Sequence, residues 1–295
     1  MYKLAKSTDI AIFYYLFYKV FRGQFKLKKL DHLKNIINNY DHFIIDLWGV
    51  VHNGIRPYQG AMKAIEELYN NKKSFFFLSN APRPVNDVRK FLNEKMKINE
   101  KFLKNILTSG EAAINSIKNF DHGKFFFHLG PDRDRKIYQG LENYKTKLEK
   151  CDYILCTGLY DNQMSKLEFY EKLLENSLDK KMICTNPDLI VDKGNTQEYC
   201  AGTLAKLFEN IGGKVTYFGK PHKEIYNSIL GEKDKALIIG DNLRTDIKGA
   251  NLIKQDSLFI LDGIHKNEIK DLNNLSNIFK KYNVETSFVQ KQLNW

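Results

Sequence analysis

The feature that most constrains this chain is a series of short, unbroken apolar runs set between stretches of helical periodicity. The runs are His42-Phe43-Ile44-Ile45, Ser74-Phe75-Phe76-Phe77-Leu78, Lys124-Phe125-Phe126-Phe127-His128, Tyr153-Ile154-Leu155-Cys156, Met182-Ile183-Cys184-Thr185, Val215-Thr216-Tyr217-Phe218, Ala236-Leu237-Ile238-Ile239 and Leu258-Phe259-Ile260-Leu261. A strand with one wet face alternates apolar and polar residues, whereas a continuously apolar run fits a strand covered on both faces. Between the runs, helices are expected near 60–72, 84–95, 109–119, 165–177 and 197–210. In the first of these, Ala61, Ala64, Ile65 and Leu68 share one face. Strands alternating with helices predict an α/β fold with a doubly wound parallel sheet.

The runs fall into two series. Residues 41–105 and 215–266 read as one core, and 106–214 as an inserted α/β domain, compact because no low-complexity linker joins it. The polar, Asn/Lys-rich stretch 267–295 is expected to pack on the core through a short helix. Residues 1–40 read as an N-terminal helical extension. Its apolar segment Ile10–Phe21 is interrupted by Lys19 and is too short to span a bilayer, so an amphipathic helix is expected, packed on the body or lying on a membrane surface. No integral membrane segment is expected.

The net charge of +11 raises the question of a nucleic-acid partner. The lysines are scattered, and no stripe of arginines interleaved with aromatics accompanies them, so no nucleic-acid partner is expected and anionic substrates gain at most a favourable field. Cys151, Cys156, Cys184 and Cys200 form no C-x-x-C pair. They read as free thiols of a reducing, cytoplasmic compartment.

Four apolar runs end in groups suited to phosphate chemistry, and open α/β sheets gather ligands at the carboxyl ends of their strands. Asp46 ends the first. Ser79 and Asn80 end the second, a hydroxyl and an amide able to donate to phosphate oxygens. Gly219-Lys220-Pro221 follows a later run and supplies a point positive charge. Gly240-Asp241-Asn242-Leu243-Arg244-Thr245-Asp246 is an acidic loop that opens a helix. Asp46 and Asp241 together offer hard oxygen ligands suited to Mg²⁺. No G-x-G-x-x-G follows the first strand, which argues against a dinucleotide-dependent dehydrogenase.

Over roughly residues 40–265 these four segments resemble, in order, the four motifs of the haloacid dehalogenase-like (HAD) phosphohydrolases, with their Rossmann-like core. The position of the insertion, together with Thr108-Ser109-Gly110-Glu111-Ala112-Ala113 and Thr185-Asn186-Pro187-Asp188, resembles class IIA, whose cap is α/β. Asp46-Leu47-Trp48-Gly49-Val50 is similar to a class IIA subgroup reading Asp-x-Trp-Gly-Val. The resemblance implies a Mg²⁺-dependent phosphatase acting on a small phosphorylated metabolite. Asp46 would be the nucleophile that forms an aspartyl-phosphate. Asp46, Asp241 and the backbone carbonyl of Trp48 would hold Mg²⁺, with Thr245 and Asp246 behind them and Asp246 orienting a metal-bound water. Ser79, Asn80 and Lys220 would hold the phosphoryl group, while Asn186 and Asp188 would reach the substrate from the cap. A homodimer through the cap is also implied.

The family's usual pattern is Asp-x-Asp-Gly, and its second Asp moves the proton. Trp48 stands there instead. General acid–base assistance is worth about 10²–10⁴ in rate, so its loss slows catalysis without abolishing phosphate binding. Three readings follow. The chain turns over weakly and favours esters whose leaving group departs without a proton; or it recruits another acid, with His52 in the same loop the nearest candidate; or it is a non-catalytic phosphate-ligand-binding or regulatory relative.

Overall fold

The computed structural model describes residues 28–295 apart from 165, 194, 195 and 270. The expected helix over Ile10–Phe21 lies outside the described residues. In chain order the strands are β1 (Lys28–Lys29), β2 (His42–Ile45), β3 (Ser74–Ser79), β4 (Ile106–Thr108), β5 (Phe126–Leu129), β6 (Tyr153–Cys156), β7 (Lys181–Cys184), β8 (Ile190–Lys193), β9 (Thr196–Tyr199), β10 (Lys214–Tyr217), β11 (Ala236–Gly240), β12 (Asp256–Ile260) and β13 (Phe288–Gln290). Seven of them form a parallel core sheet in the order β1-β13-β12-β11-β2-β3-β4.

Side chains alternate across a strand, and here both faces are dry. Phe43 and Ile45 of β2 and Phe77 of β3 pack with Ile65, Leu68, Val88 and Leu92 of the helices Gln59–Asn70 and Val85–Glu94. On the opposite face Ile44, Leu78 and Ile238 meet Ile225, Tyr226 and Ala250. Each large apolar side chain so buried contributes roughly 1.5–3 kcal/mol, which fixes the register that aligns the strand ends. Helices on both faces make the core doubly wound, as expected.

A second parallel sheet, in the order β10-β7-β6-β5, lies in the inserted segment. The helix Ser109–Lys118 covers one face through Ala113, Ile114 and Ile117, and Ala201–Asn210 covers the other through Leu204 and Phe208. An antiparallel hairpin, β8–β9, projects from this cap. Among the described residues no helix is long and apolar enough to cross a membrane.

Several expected boundaries move. Val215–Tyr217, read as resuming the core series, pairs with Met182–Cys184 in the cap. Ile106–Thr108, read as the start of the insertion, is the core's edge strand beside β3. An apolar run records that a strand is buried but not which sheet buries it. The helix expected from 197 begins at Ala201, because Thr196–Tyr199 is taken up in the hairpin. The stretch beyond 266 does more than pack on the core: after its helix, Leu275–Tyr282, it adds β13 to the sheet. Residues 28–40 contribute the edge strand β1, two 3₁₀ turns and buried Leu30, Leu33, Ile36 and Ile37.

Candidate active site

β2 and β11 are neighbours in register, Ile45 opposite Ile239, so the residues that follow them emerge together. Asp46 donates its backbone N–H to the Ile239 carbonyl at 2.9 Å, and Asp241 follows β11 directly. Asp46, Asp241 and Asp246 each present a carboxylate oxygen, all within 4.8 Å of one another. The chain makes room for this cluster. Gly49 adopts a left-handed φ of 82°, and a β-carbon there would occupy the place of the Asp241 carboxylate. The turn Leu243–Ile247 is a π turn, with the N–H groups of Asp246 and Ile247 both donating to the Asn242 carbonyl. Such turns recur at functional sites. Here the turn brings Asp246 back over its own loop, where the carboxylate accepts from Asn242 N at 3.1 Å. Thr245 is buried in the same turn.

Lys220 lies in the loop after β10, and its ammonium donates to Asp46 Oδ1 at 2.6 Å and to Asp246 Oδ1 at 2.7 Å. It is only 2% exposed. Burial opposes its charge, but Asp246, Asp46 and Asp188 outweigh that opposition and hold the ammonium well above its ordinary pKa. Burial, against the pull of Lys220 and with repulsion from Asp246, raises the Asp46 carboxyl above the usual range. Burial and the charges of Asp46 and Asp246 raise Asp241 likewise. A cluster of carboxylates short of positive charge, with hard oxygen donors converging on one point, fits a divalent cation such as Mg²⁺.

Ser79 ends β3, and its Oγ accepts from Ala81 N at 3.2 Å, leaving its proton to be donated. Asn80 is turned to a different use. Its Oδ1 accepts from Lys220 N at 2.8 Å and its Nδ2 donates to Lys220 O at 3.1 Å, so the amide clamps the lysine backbone.

His52 is 2% exposed and packs edge-on against Trp48 and Phe91. Its Nδ1 accepts from Gly54 N at 3.0 Å, and burial brings its pKa down to about 4. A neutral imidazole has no proton of useful acidity to give at neutral pH. The surroundings therefore do not support the expectation that His52 replaces the missing acid. Trp48 is half-buried, and its indole Nε1 donates to the carbonyl of Asp192 on β8 of the cap.

The loop after β7 delivers Asn186 and Asp188 to the same place. Asn242 Nδ2 donates to Asp188 Oδ1 at 3.1 Å, and Asn186 Oδ1 caps Asp188 N at 3.1 Å. Core and cap together enclose a cavity of about 590 Å³ lined by Asp46, Trp48, Ser79, Asn80, Asn186, Asp188 and Asp241. Sequence reasoning missed Asp192 and Lys266, which join cap to core through an ion pair of 3.3 Å. It also missed Arg83, which lines the cavity and pairs with buried Asp134 at 3.3 Å. A single charge on a hairpin or loop carries no periodicity, so nothing in the sequence marked them.

A family profile described as haloacid dehalogenase-like hydrolase matches residues 43–143, and a second, HAD-hydrolase-like, matches 217–281. The fold is similar to that of a hydrolase of the haloacid dehalogenase-like family from Brucella suis. The TM-score is 0.74 and the identity 32%, over 80% of this chain and 94% of that one. The sequence is 25% identical to an acid sugar phosphatase of Staphylococcus haemolyticus, over 86% of this chain and 98% of that protein. It is 24% identical to a D-glycerol 3-phosphate phosphatase of Mycobacterium tuberculosis, over 79% of this chain and 66% of that protein.

Proposed function

The chain belongs to the haloacid dehalogenase-like hydrolases, and on that premise we propose that it is a class IIA phosphatase that hydrolyses a small phosphorylated metabolite through an aspartyl-phosphate at Asp46. The observation that carries the reading is the convergence of Asp46 and Asp241 at the ends of two neighbouring core strands, with Asp246 and Lys220 against them, where Asp46 and Asp241 line a cavity between core and cap. The phosphatases among its relatives support it.

The Asp46 carboxylate attacks phosphorus and the ester oxygen departs. The Lys220 ammonium and the Ser79 hydroxyl meet the phosphoryl oxygens, where charge accumulates. Asn80 keeps Lys220 at the required place by holding its backbone. Mg²⁺, held by Asp46, Asp241 and the Trp48 carbonyl, would neutralise phosphoryl charge and favour the ionised nucleophile. Asp246, fixed by Lys220 and Asn242 N, would support the cation site from behind and orient a water beside it. The indole of Trp48 ties the core loop to the cap hairpin, and the cap excludes water from the floor. Four buried free thiols suit a reducing, cytoplasmic compartment. The homodimer through the cap belongs to the same proposal and is read by light scattering.

The test is a panel of phosphomonoesters assayed with Mg²⁺ on wild type and Asp46→Asn. Turnover by wild type and its loss in the variant are expected. Equal activity of the two proteins would overturn the nucleophile assignment.

A further inference from the structure

An alkoxide leaves phosphorus slowly unless a proton reaches it, and water attacks the aspartyl-phosphate slowly unless a base takes one away. The loop that carries Asp46 offers neither group. Trp48 has its one N–H engaged by the Asp192 carbonyl, and His52 has its Nδ1 engaged by Gly54 N and its ring packed edge-on against Trp48 and Phe91. In-line displacement by Asp46 puts the leaving oxygen on the far side of phosphorus, which is the side the cap covers. The proton donor must therefore be sought on the cap.

We propose that Asp188 is the general acid and base of this site. The assignment rests on the phosphatase reading above. Asp188 lines the cavity with Asp46 and is held from both sides. Asn242 Nδ2 donates to its Oδ1 at 3.1 Å, and the orientation of that amide is fixed because Asn242 Oδ1 accepts from Arg244 N at 2.9 Å. The side chains of Asn80 and Thr245 stand beside the same carboxyl. Its loop is fixed in turn: Cys200 N donates to the Leu189 carbonyl at 2.8 Å. Gly202 lets the Pro187 and Asp188 carbonyls approach where a β-carbon would stand. Of the other acids lining the cavity, three have partners of their own, Asp262 accepting from Gln292 Nε2 at 3.3 Å. Asp192 pairs with Lys266 at 3.3 Å and accepts from Gln197 at 2.9 Å, and Asp134 pairs with Arg83. Burial raises the Asp188 carboxyl above its ordinary range, opposed by Lys220 and reinforced by Asp246.

In the first half-reaction an Asp46 oxygen forms a bond to phosphorus. The bond from phosphorus to the ester oxygen breaks, its electron pair goes to that oxygen, and the Asp188 carboxyl proton follows, releasing an alcohol. In the second, Asp188 as carboxylate takes a proton from water while the water oxygen bonds to phosphorus. The bond from Asp46 to phosphorus breaks, leaving phosphate, the Asp46 carboxylate and a protonated Asp188.

The test compares wild type, Asp46→Asn and Asp188→Asn by rapid mixing with Mg²⁺ on 4-nitrophenyl phosphate, whose leaving group needs no proton, and on glycerol 3-phosphate. Asp188→Asn should release nitrophenolate in a stoichiometric burst at close to the wild-type rate, then turn over about 10²–10⁴-fold more slowly. With glycerol 3-phosphate the burst itself should disappear. Equal slowing of the burst on both esters, or wild-type turnover on both, would overturn the assignment while leaving the phosphatase reading intact. No turnover of either ester by wild type would overturn both. Should Asp188→Asn not fold, wild type carries the test: glycerol 3-phosphate turnover should slow in D₂O while the nitrophenolate burst does not. An absent isotope effect on both would end the proposal.

Discussion

Lys220 Nζ lies 2.6 Å from Asp46 Oδ1, joining a lysine that enters from the cap side of the chain to the acid at the end of β2. With Asp246 at 2.7 Å the three form a buried ion network. Its members hold one another in place, so removing one leaves charge without a partner.

Lys220→Met should therefore destabilise the fold by about 3–5 kcal/mol, the usual cost of breaking a buried pair by deleting one partner. It should also abolish turnover. Urea denaturation measures the first effect, and a change below about 1 kcal/mol would contradict the network's role.

Trp48→Phe keeps the ring beside His52 and removes the donor to the Asp192 carbonyl. The net value of one such hydrogen bond is about 0.5–1.5 kcal/mol. Because this bond links cap to core, the expected outcome is a higher KM with a smaller change in kcat. An unchanged KM would show that the cap is held elsewhere.

Gly219 sits at φ 104°, and a β-carbon there would meet Asn80 Oδ1 and Ser109. Gly219→Ala combines backbone strain of about 1–3 kcal/mol with displacement of the amide that clamps Lys220. It should lower thermal stability and activity together. A variant that melts like wild type would deny the clamp.

Buried His52 and His128 both have their pKa values brought down to about 4 by burial. The unfolded chain takes up these protons near pH 6.5 and the folded protein only near 4. Their contribution to stability is thus fully present above pH 6.5 and falls as the pH drops towards 4, by at most about 1.4 kcal/mol per unit for each histidine. The carboxyls of Asp46, Asp241 and Asp188, raised by burial, act in the opposite sense, so the contribution is read as the difference between wild type and His128→Gln in urea midpoints at pH 7.5, 6 and 5, and a difference that does not change with pH would contradict it.

Much of this protein was legible in its residues. Continuous apolar runs such as Phe43-Ile44-Ile45 can be satisfied only by a sheet covered on both faces, and polar groups at their carboxyl ends fall on one edge of that sheet. Asp46, Ser79 and Asp241 stand there for those two reasons, whereas Lys220 reaches the same place from the end of a cap strand. The allocation of Val215–Tyr217 to the cap was not legible, because β10 and β11 have the same local composition and differ only in their pairing partner. The role of Asn80 was also hidden, since an amide can serve a phosphate or a backbone equally well until its neighbours are fixed.

The sequence by itself determined the α/β core, the strand-end acids and the absence of an acid at Trp48, all consequences of local pattern and spacing. Only the tertiary structure decided what surrounds them. Burial and a bond from Gly54 leave His52 neutral, and the return of the cap hairpin engages the Trp48 indole. The loop after β7 brings Asp188 to Asn242 across 54 positions of chain. Contacts between residues so far apart depend on how whole layers pack, which no local pattern encodes.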